Sequence, residues 1–262
     1  MSENTKIHPT AIISRKASLG KDVCVAPYAI IGEGVTIGEG AVIGAHCVIE
    51  NKTTVGKRCR VFTGAVLGSI PQDLKYKSET SYLEIGDDNI IREYVTINPG
   101  TEAGSKTVIG NNNLIMAYSH IAHNCLIGNN CIIANCGTLA GYVNIEDKAI
   151  VGGMVAIHQF TRVGGLSIIG GCSKVVSDVP PYSTCDGHPA RVYGLNLVGL
   201  RRQGIDGKIV QELSHAFKIL FNSGLNPRNA LQKLSEEKYS SAEISHLANF
   251  IKNSKRGVCR HC

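Results

Sequence analysis

A strict six-residue period runs through the first two thirds of the chain. Aliphatic side chains recur at every sixth position in three runs, 7–67, 85–97 and 109–175. Neither an α-helix, with its period of 3.6 residues, nor an alternating strand, with its period of 2, produces a repeat of six. A short flat strand followed by a corner does. Three such strands close one triangular coil of about 18 residues, and coils stack about 4.8 Å apart through parallel ladder hydrogen bonds.

The residues between the aliphatic positions are mostly small. Four positions after each aliphatic residue an Ala, Val, Cys or Thr is usual, and Gly often follows the aliphatic residue directly, as in Ile31-Gly32, Ile37-Gly38, Ile43-Gly44 and Val55-Gly56. The pattern predicts two inward layers, with the glycines relieving the backbone at the turn. With 29 Gly, 5 % aromatic residues and no Trp, the composition suits a narrow interior. It differs from that of a conventional mixed α/β enzyme.

Two interruptions keep the phase of the period. The gap from Leu67 to Ile85 spans 18 residues and the gap from Ile97 to Ile109 spans 12. We therefore predict a β-helix over residues 1–190, with inserted loops near 69–84 and 99–108. The first loop contains the polar, proline-bearing run PQDLKY. Loops that bulge from a rigid scaffold commonly carry function.

The region after the repeat has a different character. The sequence DVPPY at 178–182 breaks the pattern, and apolar residues then recur at helical spacing around 209–221, after Pro227 and after Ser241. This predicts a C-terminal α-helical domain over 191–262, with three helices packed on the coil. That domain holds 12 Lys and Arg against five Asp and Glu, whereas residues 1–190 hold 15 against 16. The basic excess fits either a solvated helical face or a docking surface for an acidic partner.

The composition also bears on location. A content of 43 % hydrophobic residues excludes disorder, no stretch approaches the ~18 apolar residues of a membrane span, and the first residues lack an apolar signal region. We therefore expect a cytoplasmic protein. Most of the ten cysteines are expected to act as small buried side chains. Cys259 and Cys262 form a C-x-x-C without a second pair, which favours a frayed tail over a metal or redox site.

One column of polar residues stands out in the second half of the repeat. His123, Gly141 and Gln159 each lie two positions after an aliphatic residue and are spaced by 18 and 18 residues, one coil each. We therefore predict that they stack at one corner, roughly 5 Å apart. An imidazole with an ordinary pKa near 6.5 is largely neutral at pH 7, as a general base must be. No carboxylate pair, Ser/His/Asp triad or metal-spaced cluster competes with this column.

Several motifs carry a resemblance to a known family over essentially the whole chain. They are PQDLKY at 71–76, SHIAHNC at 119–125, LAG at 139–141, GGM at 152–154, IHQF at 157–160, VPPY at 179–182, GLN at 194–196, GLRRQG at 199–204 and KRG at 255–257. In these the chain resembles the acyl-[acyl-carrier-protein]–UDP-N-acetylglucosamine O-acyltransferases, the hexapeptide-repeat enzymes that begin lipid A biosynthesis. The resemblance implies a left-handed parallel β-helix with a C-terminal α-helical domain. It also implies transfer of a 3-hydroxyacyl chain from acyl carrier protein to the 3-hydroxyl of UDP-N-acetylglucosamine.

The resemblance also implies roles for individual residues. His123 would be the general base, and the backbone N–H of Gly141 would stabilise the oxyanion. Ile168 and Gly171 would lie in the region that measures acyl-chain length. The implied substrate-binding residues are Gln72, Asp73, Lys75, His120, Tyr142, His158, Gln159, Asn196 and Arg202.

Three positions depart from the pattern of the family. Tyr142 stands where His is usual, Val198 where Glu is common, and Asn124 where Asp is frequent. Asn124 is expected to remove a carboxylate that would support a charged imidazole. The departures leave the reaction class intact and leave open whether the acceptor is a 3-hydroxy or a 3-amino sugar.

The resemblance implies partners as well. The enzyme would be a homotrimer with its site between subunits, and its acyl donor would arrive on the phosphopantetheine of acyl carrier protein. The basic C-terminal region fits that acidic partner. No metal, diffusible cofactor, nucleic acid or membrane span is expected.

Other functions remain as alternatives. A coenzyme A-dependent acetyltransferase would differ in its donor. The related N-acyltransferase of the same pathway normally has an additional N-terminal domain, whereas the repeat here begins at Ile7. A scaffold or a zinc carbonic anhydrase relative would leave the QDLK sequence at 72–75 and the nucleotide motif unexplained.

Overall fold

In a computed structural model of the chain, the described residues are 6–237, 239 and 241–260. Most strands are two residues long, because each face of the coil lasts only until the next corner. The elements are, in chain order, β1 Lys6–Ile7, β2 Ile12–Ile13, β3 Ser18–Leu19, β4 Cys24–Val25, β5 Ile30–Ile31, β6 Thr36–Ile37, β7 Val42–Ile43, β8 Val48–Ile49, β9 Lys52–Val55, β10 Arg60–Val61, β11 Val66–Leu67, β12 Tyr82–Ile85, β13 Ile90–Ile91, β14 Thr96–Ile97, β15 Lys106–Ile109, β16 Leu114–Ile115, β17 His120–Ile121, β18 Leu126–Ile127, β19 Ile132–Ile133, β20 Thr138–Leu139, β21 Asn144–Ile145, β22 Ile150–Val151, β23 Ala156–Ile157, β24 Arg162–Val163, β25 Ile168–Ile169, β26 Lys174–Val175, β27 Ser183–Gly187, β28 Ala190–Leu195, α1 Leu197–Arg202, α2 Gly207–Phe221, α3 Pro227–Glu236 and α4 Ala242–Lys252.

The strands form three sheets, parallel except for the last hairpin of the first, that are the faces of a triangular prism. The first sheet contains 11 strands and runs from β1 through β4 and β7 to β25, β27 and β28. The second contains nine strands, from β2 to β26, and the third contains eight, from β3 to β24. From β1 to β26 each strand pairs in parallel with the strand three elements further along the chain, so that Ile7 lies beside Val25 and Val25 beside Ile43. At the end of the first sheet β25 pairs with β27 instead. The predicted coil of three faces is therefore confirmed.

The interior consists of the two layers that the period predicts. Ile31 and Ile37 of the aliphatic layer are 1 % exposed, and Ala29 of the small-residue layer is fully buried. Four cysteines occupy the small-residue layer in the same way, namely Cys47, Cys59, Cys125 and Cys131. Burial raises the pKa of the Cys125 thiol to about 12 and that of Cys47 to about 11, so these thiols stay protonated. They fill space and are not nucleophiles.

The glycines that follow the aliphatic residues are required for a reason other than the expected relief of the backbone at the turn. The left-handed backbone conformation occurs two positions later, and Asp22, Tyr28 and Arg58 adopt it without being glycine. A Cβ on Gly38 would lie 2.5 Å from the carbonyl carbon of Gly56 in the next coil. The prediction of a turn glycine was wrong for this position, because the close approach of two coils excludes the side chain.

This distinction predicts a difference between two neighbouring glycines. Gly38→Ala is expected to lower the free energy of unfolding by about 1–3 kcal/mol, because the methyl group would force the coils apart. Gly40 has a φ of +68° and space around its Cα, so Gly40→Asn is expected to stay within about 0.5 kcal/mol of the wild type. Urea denaturation measures both. Equal losses would contradict the coil-contact explanation.

The end of the coil is closed by an antiparallel hairpin. β27 and β28 extend the first sheet, and β28 ends only at Leu195. The change to helical structure therefore comes at Asn196, inside the predicted helical region of 191–262. Four helices follow instead of the three that the spacing predicts. The additional helix, α1, has six residues, too few to show a helical period in the sequence.

The helices and the last residues pack on the coil. The Arg162 guanidinium lies 4.0 Å from the centre of the Phe250 ring and donates to the Phe250 carbonyl. The Cys259 N–H donates to the Asp178 carbonyl at 2.8 Å, and Cys259 is 2 % exposed. The expectation of a frayed tail is therefore wrong for Cys259, while Cys262 lies outside the described residues. Within those residues, none of the helices combines the length and the apolar character needed to cross a bilayer.

Candidate active site

The predicted column forms at the corner between the second and third sheets. The Tyr142 N–H donates to the His123 carbonyl at 3.0 Å, and the Phe160 N–H donates to the Gly141 carbonyl at 3.1 Å. These bonds connect three successive coils, because β17, β20 and β23 pair in register. His123, Gly141 and Gln159 therefore lie above one another, as their spacing predicts.

Glycine is required at position 141 by the imidazole beside it. A Cβ there would lie 2.5 Å from Cε1 and 2.6 Å from Nε2 of His123. The imidazole thus occupies the space that a side chain at position 141 would need. The Gly141 N–H donates to no acceptor in the described part of the chain.

A cleft of about 470 Å³ opens beside this column. Both inserted loops contribute to its wall, since residues of the 69–81 loop and the 98–105 loop face the corner. Its lining residues are Asp73, Lys75, Glu79, Thr101, Glu102, Ala103, His123, Tyr142, Gln159 and Phe160. Five of these ten residues were predicted as site residues from the sequence, and the other five were not.

The first loop is attached to the start of the second loop by a buried asparagine. Asn98, 2 % exposed, donates from Nδ2 to the carbonyl oxygens of Ser69 at 3.1 Å and Ile70 at 3.3 Å. Within the loop the Lys75 N–H donates to Asp73 Oδ1 at 2.9 Å. These contacts bring Asp73 Oδ2 to 3.8 Å from His123 Nε2, a distance that leaves room for a hydroxyl group near both.

The other side of the His123 ring is held by its neighbour in the chain. His123 Nδ1 lies 2.9 Å from Asn124 Oδ1, and the His123 side chain is 13 % exposed. Asn124 is fixed in turn by Thr101 and Glu102 of the second loop. One nitrogen of the imidazole is thus engaged inside the protein and the other faces the cleft.

Tyr142 covers the edge of the imidazole. Its ring packs edge-on against His123, with centroids 5.4 Å apart, and stacks on Phe160 at 4.8 Å. Its hydroxyl donates to Glu102 Oε1. Burial, together with that hydrogen bond, raises the pKa of the Tyr142 phenol, so it remains a neutral donor.

Comparison with known proteins identifies the family. The family model "Bacterial transferase hexapeptide (six repeats)" matches residues 16–51 and 106–141. The model "Udp N-acetylglucosamine O-acyltransferase; Domain 2" matches residues 178–259. The acyl-[acyl-carrier-protein]–UDP-N-acetylglucosamine O-acyltransferase of Myxococcus xanthus is 46 % identical over 256 residues, or 97 % of this chain and 99 % of the relative. The chain belongs to this acyltransferase family. The enzyme of the same name from Thermodesulfovibrio yellowstonii is 50 % identical over 256 residues, with coverage of 97 % and 99 %.

Solved structures from the acyltransferase family have the same architecture. The UDP-N-acetylglucosamine acyltransferase of Bacteroides fragilis matches with a TM-score of 0.94 at 44 % identity, covering 97 % of this chain and 99 % of that one. The enzyme from Campylobacter jejuni matches with a TM-score of 0.93 at 42 % identity, with coverage of 98 % and 100 %. The predicted left-handed β-helix with a helical C-terminal region is therefore confirmed.

The remaining residues that the acyltransferase resemblance implies lie outside this cleft. His120 Nδ1 lies 2.7 Å from Thr96 Oγ1, and burial together with the nearby His123 lowers the pKa of His120. Gln72 and His158 are exposed. Asn196 caps α1, because its Oδ1 accepts from the Gly199 N–H and its Nδ2 donates to the Leu166 carbonyl.

Three more of the implied residues lie away from the His123 corner, one in α1 and two on the coil. Arg202 is exposed in the last turn of α1, while Ile168 lies on the outer face of the first sheet and Gly171 at the corner that follows it. Across residues 6–237, 239 and 241–260, there is no group of three or more His, Cys, Asp or Glu that could hold a metal ion.

Five residues of the cleft wall were not singled out from the sequence, among them Glu79, Glu102 and Phe160. Glu102 and Glu79 belong to loops without a period, so no register relates them to His123. Phe160 follows Gln159 directly and lies one coil beyond Tyr142 in the same column. This spacing could have predicted its place in the cleft wall.

Proposed function

We propose that this chain transfers a 3-hydroxyacyl group from acyl carrier protein to the 3-hydroxyl of UDP-N-acetylglucosamine, the first step of lipid A biosynthesis. The observation that carries the proposal is the His123 imidazole between Asn124 and Asp73 in the wall of a polar cleft. Membership of the acyltransferase family supports the same reaction.

In the proposed reaction, His123 Nε2 takes the proton from the sugar hydroxyl as the oxygen attacks the thioester carbon. The tetrahedral intermediate collapses, the C–S bond breaks, and the imidazolium returns the proton to the pantetheine thiolate. Proton transfer of this kind contributes typically 10²–10⁴-fold. The Gly141 N–H, which has no acceptor in the described chain, would donate to the oxyanion, a contribution of about 3 kcal/mol in comparable sites.

The residues around His123 suit a sugar diphosphate. Asp73 would accept a hydrogen bond from a sugar hydroxyl, while Lys75 and Gln159 would hold sugar and pyrophosphate oxygens. His120, which lies on β17 three residues before His123, and Tyr142 complete this side of the proposed site. Gln72 and His158 are assigned to its outer rim.

The proposed site needs more than one copy of the chain. A continuous row of half-buried aliphatic residues crosses five adjacent strands on the outer face of the first sheet. The row consists of Ile90, Leu114, Ile132, Ile150 and Ile168. That face lies on the side of the prism opposite the His123 corner. A site that includes both Ile168 of this row and His123 therefore requires a neighbouring copy. We propose a homotrimer, and light scattering would measure its mass directly.

The neighbouring copy would supply the parts that lie outside the cleft. Asn196 and Arg202 are assigned to the nucleotide. Ile168 and Gly171 are assigned to the end of the acyl chain, where the missing side chain of Gly171 would admit a longer chain. A Cβ at Gly171 would lie 3.3 Å from the Gly153 carbonyl oxygen, so the space there is narrow.

The acyl donor would arrive attached to the phosphopantetheine of acyl carrier protein, and we propose no metal or diffusible cofactor. The C-terminal region, with 12 basic against five acidic residues, would attract this acidic partner. Because nucleotide sugars and acyl carrier protein are both made in the cytoplasm, the reaction is assigned to that compartment.

The test is a matched set of transfer assays with the purified full chain. The acceptors are UDP-N-acetylglucosamine and its 3-amino analogue, and the donors are 3-hydroxyacyl carrier protein and acetyl coenzyme A. We expect a base-labile ester from the first acceptor with the carrier-protein donor. An amide formed only with the amino sugar would replace the proposed acceptor, and transfer only from acetyl coenzyme A would replace the proposed donor.

A further inference from the structure

We infer that Glu102 is a positioning residue for the proposed base His123, acting through the side-chain amide of Asn124. The inference rests on the proposed role of His123. The Glu102 carboxylate does not bond to the imidazole itself. It bonds to Asn124, which bonds to the imidazole, and it belongs to a loop with no repeat pattern.

The orientation of the Asn124 amide follows from its partners. Its Oδ1 accepts from the Thr101 N–H at 3.1 Å and from Thr101 Oγ1 at 3.0 Å, and its Nδ2 donates to Glu102 Oε2 at 3.1 Å. A backbone N–H can only donate, and an ionised carboxylate can only accept. The amide therefore cannot be turned over without losing its bonds with the Thr101 N–H and with Glu102.

The amide orientation decides the tautomer of the imidazole. Asn124 Oδ1 is an acceptor at 2.9 Å from His123 Nδ1, so the proton of the neutral ring belongs on Nδ1. The lone pair is then on Nε2, the nitrogen that faces the cleft and Asp73. A reversed amide would present its NH₂ group to Nδ1 and would leave the proton on Nε2, where it blocks general-base catalysis.

Glu102 is itself held in place and charged. The Tyr142 hydroxyl donates to its Oε1, and the Ser105 hydroxyl accepts from its backbone N–H at 2.9 Å. Hydrogen bonds, first of all the one from Tyr142, lower the pKa of the Glu102 carboxyl to about 2. The carboxylate is therefore an acceptor at every pH at which the enzyme would operate.

Two residues that depart from the family pattern thus share one partner. Asn124 and Tyr142 both donate to Glu102, one to each carboxylate oxygen. Asn124 places no charge in contact with the imidazole, but Glu102 places a negative charge at the other end of the Asn124 amide. Asn124 thus removes the carboxylate that would contact the imidazole directly, as expected, and the second loop brings Glu102 to the far end of the Asn124 amide.

The experiment is a double-mutant cycle on the full chain. Glu102→Gln removes the charge and lets either end of the Asn124 amide face it, so we expect kcat for UDP-N-acetylglucosamine to fall about 10-fold with KM nearly unchanged. Asn124→Asp in the Glu102→Gln background places an acceptor-only group against Nδ1 and is expected to restore most of that loss. Asn124→Asp alone would place two carboxylates side by side and is expected to lower kcat.

The ¹⁵N chemical shifts of the His123 ring provide a readout that does not depend on turnover. We expect the Nδ1–H tautomer in the wild type and a mixture of tautomers in Glu102→Gln. The matched control is Glu79→Gln, which alters another carboxylate of the same cleft, held by the Lys77 N–H at 2.7 Å, and is expected to leave the tautomer unchanged.

An unchanged tautomer in Glu102→Gln, or a kcat loss that Asn124→Asp does not restore, overturns the inference. The failure of the proposed function would look different, since the wild type would then transfer no acyl group to UDP-N-acetylglucosamine while its imidazole tautomer could still be measured.

Discussion

His123→Ala is expected to lower kcat by ~100-fold or more while leaving KM for UDP-N-acetylglucosamine within a few-fold of the wild type, because a general base acts in the transition state. The Ala variant keeps the backbone bonds of its coil, including the one from the Tyr142 N–H to the carbonyl of residue 123. Steady-state assays at saturating 3-hydroxyacyl carrier protein measure both constants.

The matched control for this variant is His46→Ala, since His46 also lies at a corner of the coil, where it stacks on Tyr28 at 5.2 Å. It is expected to retain wild-type kcat. Full activity in His123→Ala would contradict the assignment of the base and, with it, the mechanism that we derive from the column.

Gly141→Ala is expected to have an effect of similar size, about 100-fold in kcat. The added methyl group would lie 2.5–2.6 Å from the imidazole of His123, so the ring must swing away from the position that Asn124 fixes. A displacement of about 1 Å of a catalytic group can cost 10²-fold. The unfolding temperature is expected to change little, because the clash is with the far end of a side chain that can rotate.

Gly207→Ala is the control for the Gly141 variant, because a Cβ at Gly207 meets nothing within 4 Å. It is expected to keep wild-type activity and stability. Thermal unfolding and steady-state kinetics on the same preparations separate loss of the base position from loss of the fold. A Gly141→Ala enzyme with wild-type kcat would show that the imidazole does not need the place it occupies.

The periodic part of the molecule could be predicted in detail from the sequence. An inward residue at every sixth position and three faces per coil place residues 18 apart above one another, so His123, Gly141 and Gln159 could be stacked from their numbers alone. The resemblance to the acyltransferase family, carried by motifs such as PQDLKY and SHIAHNC, was confirmed by relatives such as the one 46 % identical over 256 residues.

The aperiodic parts could be predicted only in outline. The loops were located because they interrupt the period, but the contact of Glu102 with Tyr142, 40 residues away, depends on how the second loop folds over the corner. Helix α1 was missed because its six residues are too few for a pattern. The burial of Cys259 depends on the backbone bond to Asp178, 81 residues earlier.

The sequence by itself therefore determined the coil, the register of its strands and the column that holds His123, because a repeat relates each residue to its neighbours in space by a constant count along the chain. Only the tertiary structure decided why Gly38 and Gly141 must be glycine, and which carboxylate accepts a hydrogen bond from Asn124. Each of these glycines meets a residue one coil of 18 positions away, as the period predicts, but the closeness of that approach is a property of distance in space. Glu102 lies 22 residues from Asn124 and 40 from Tyr142, separations that follow no period.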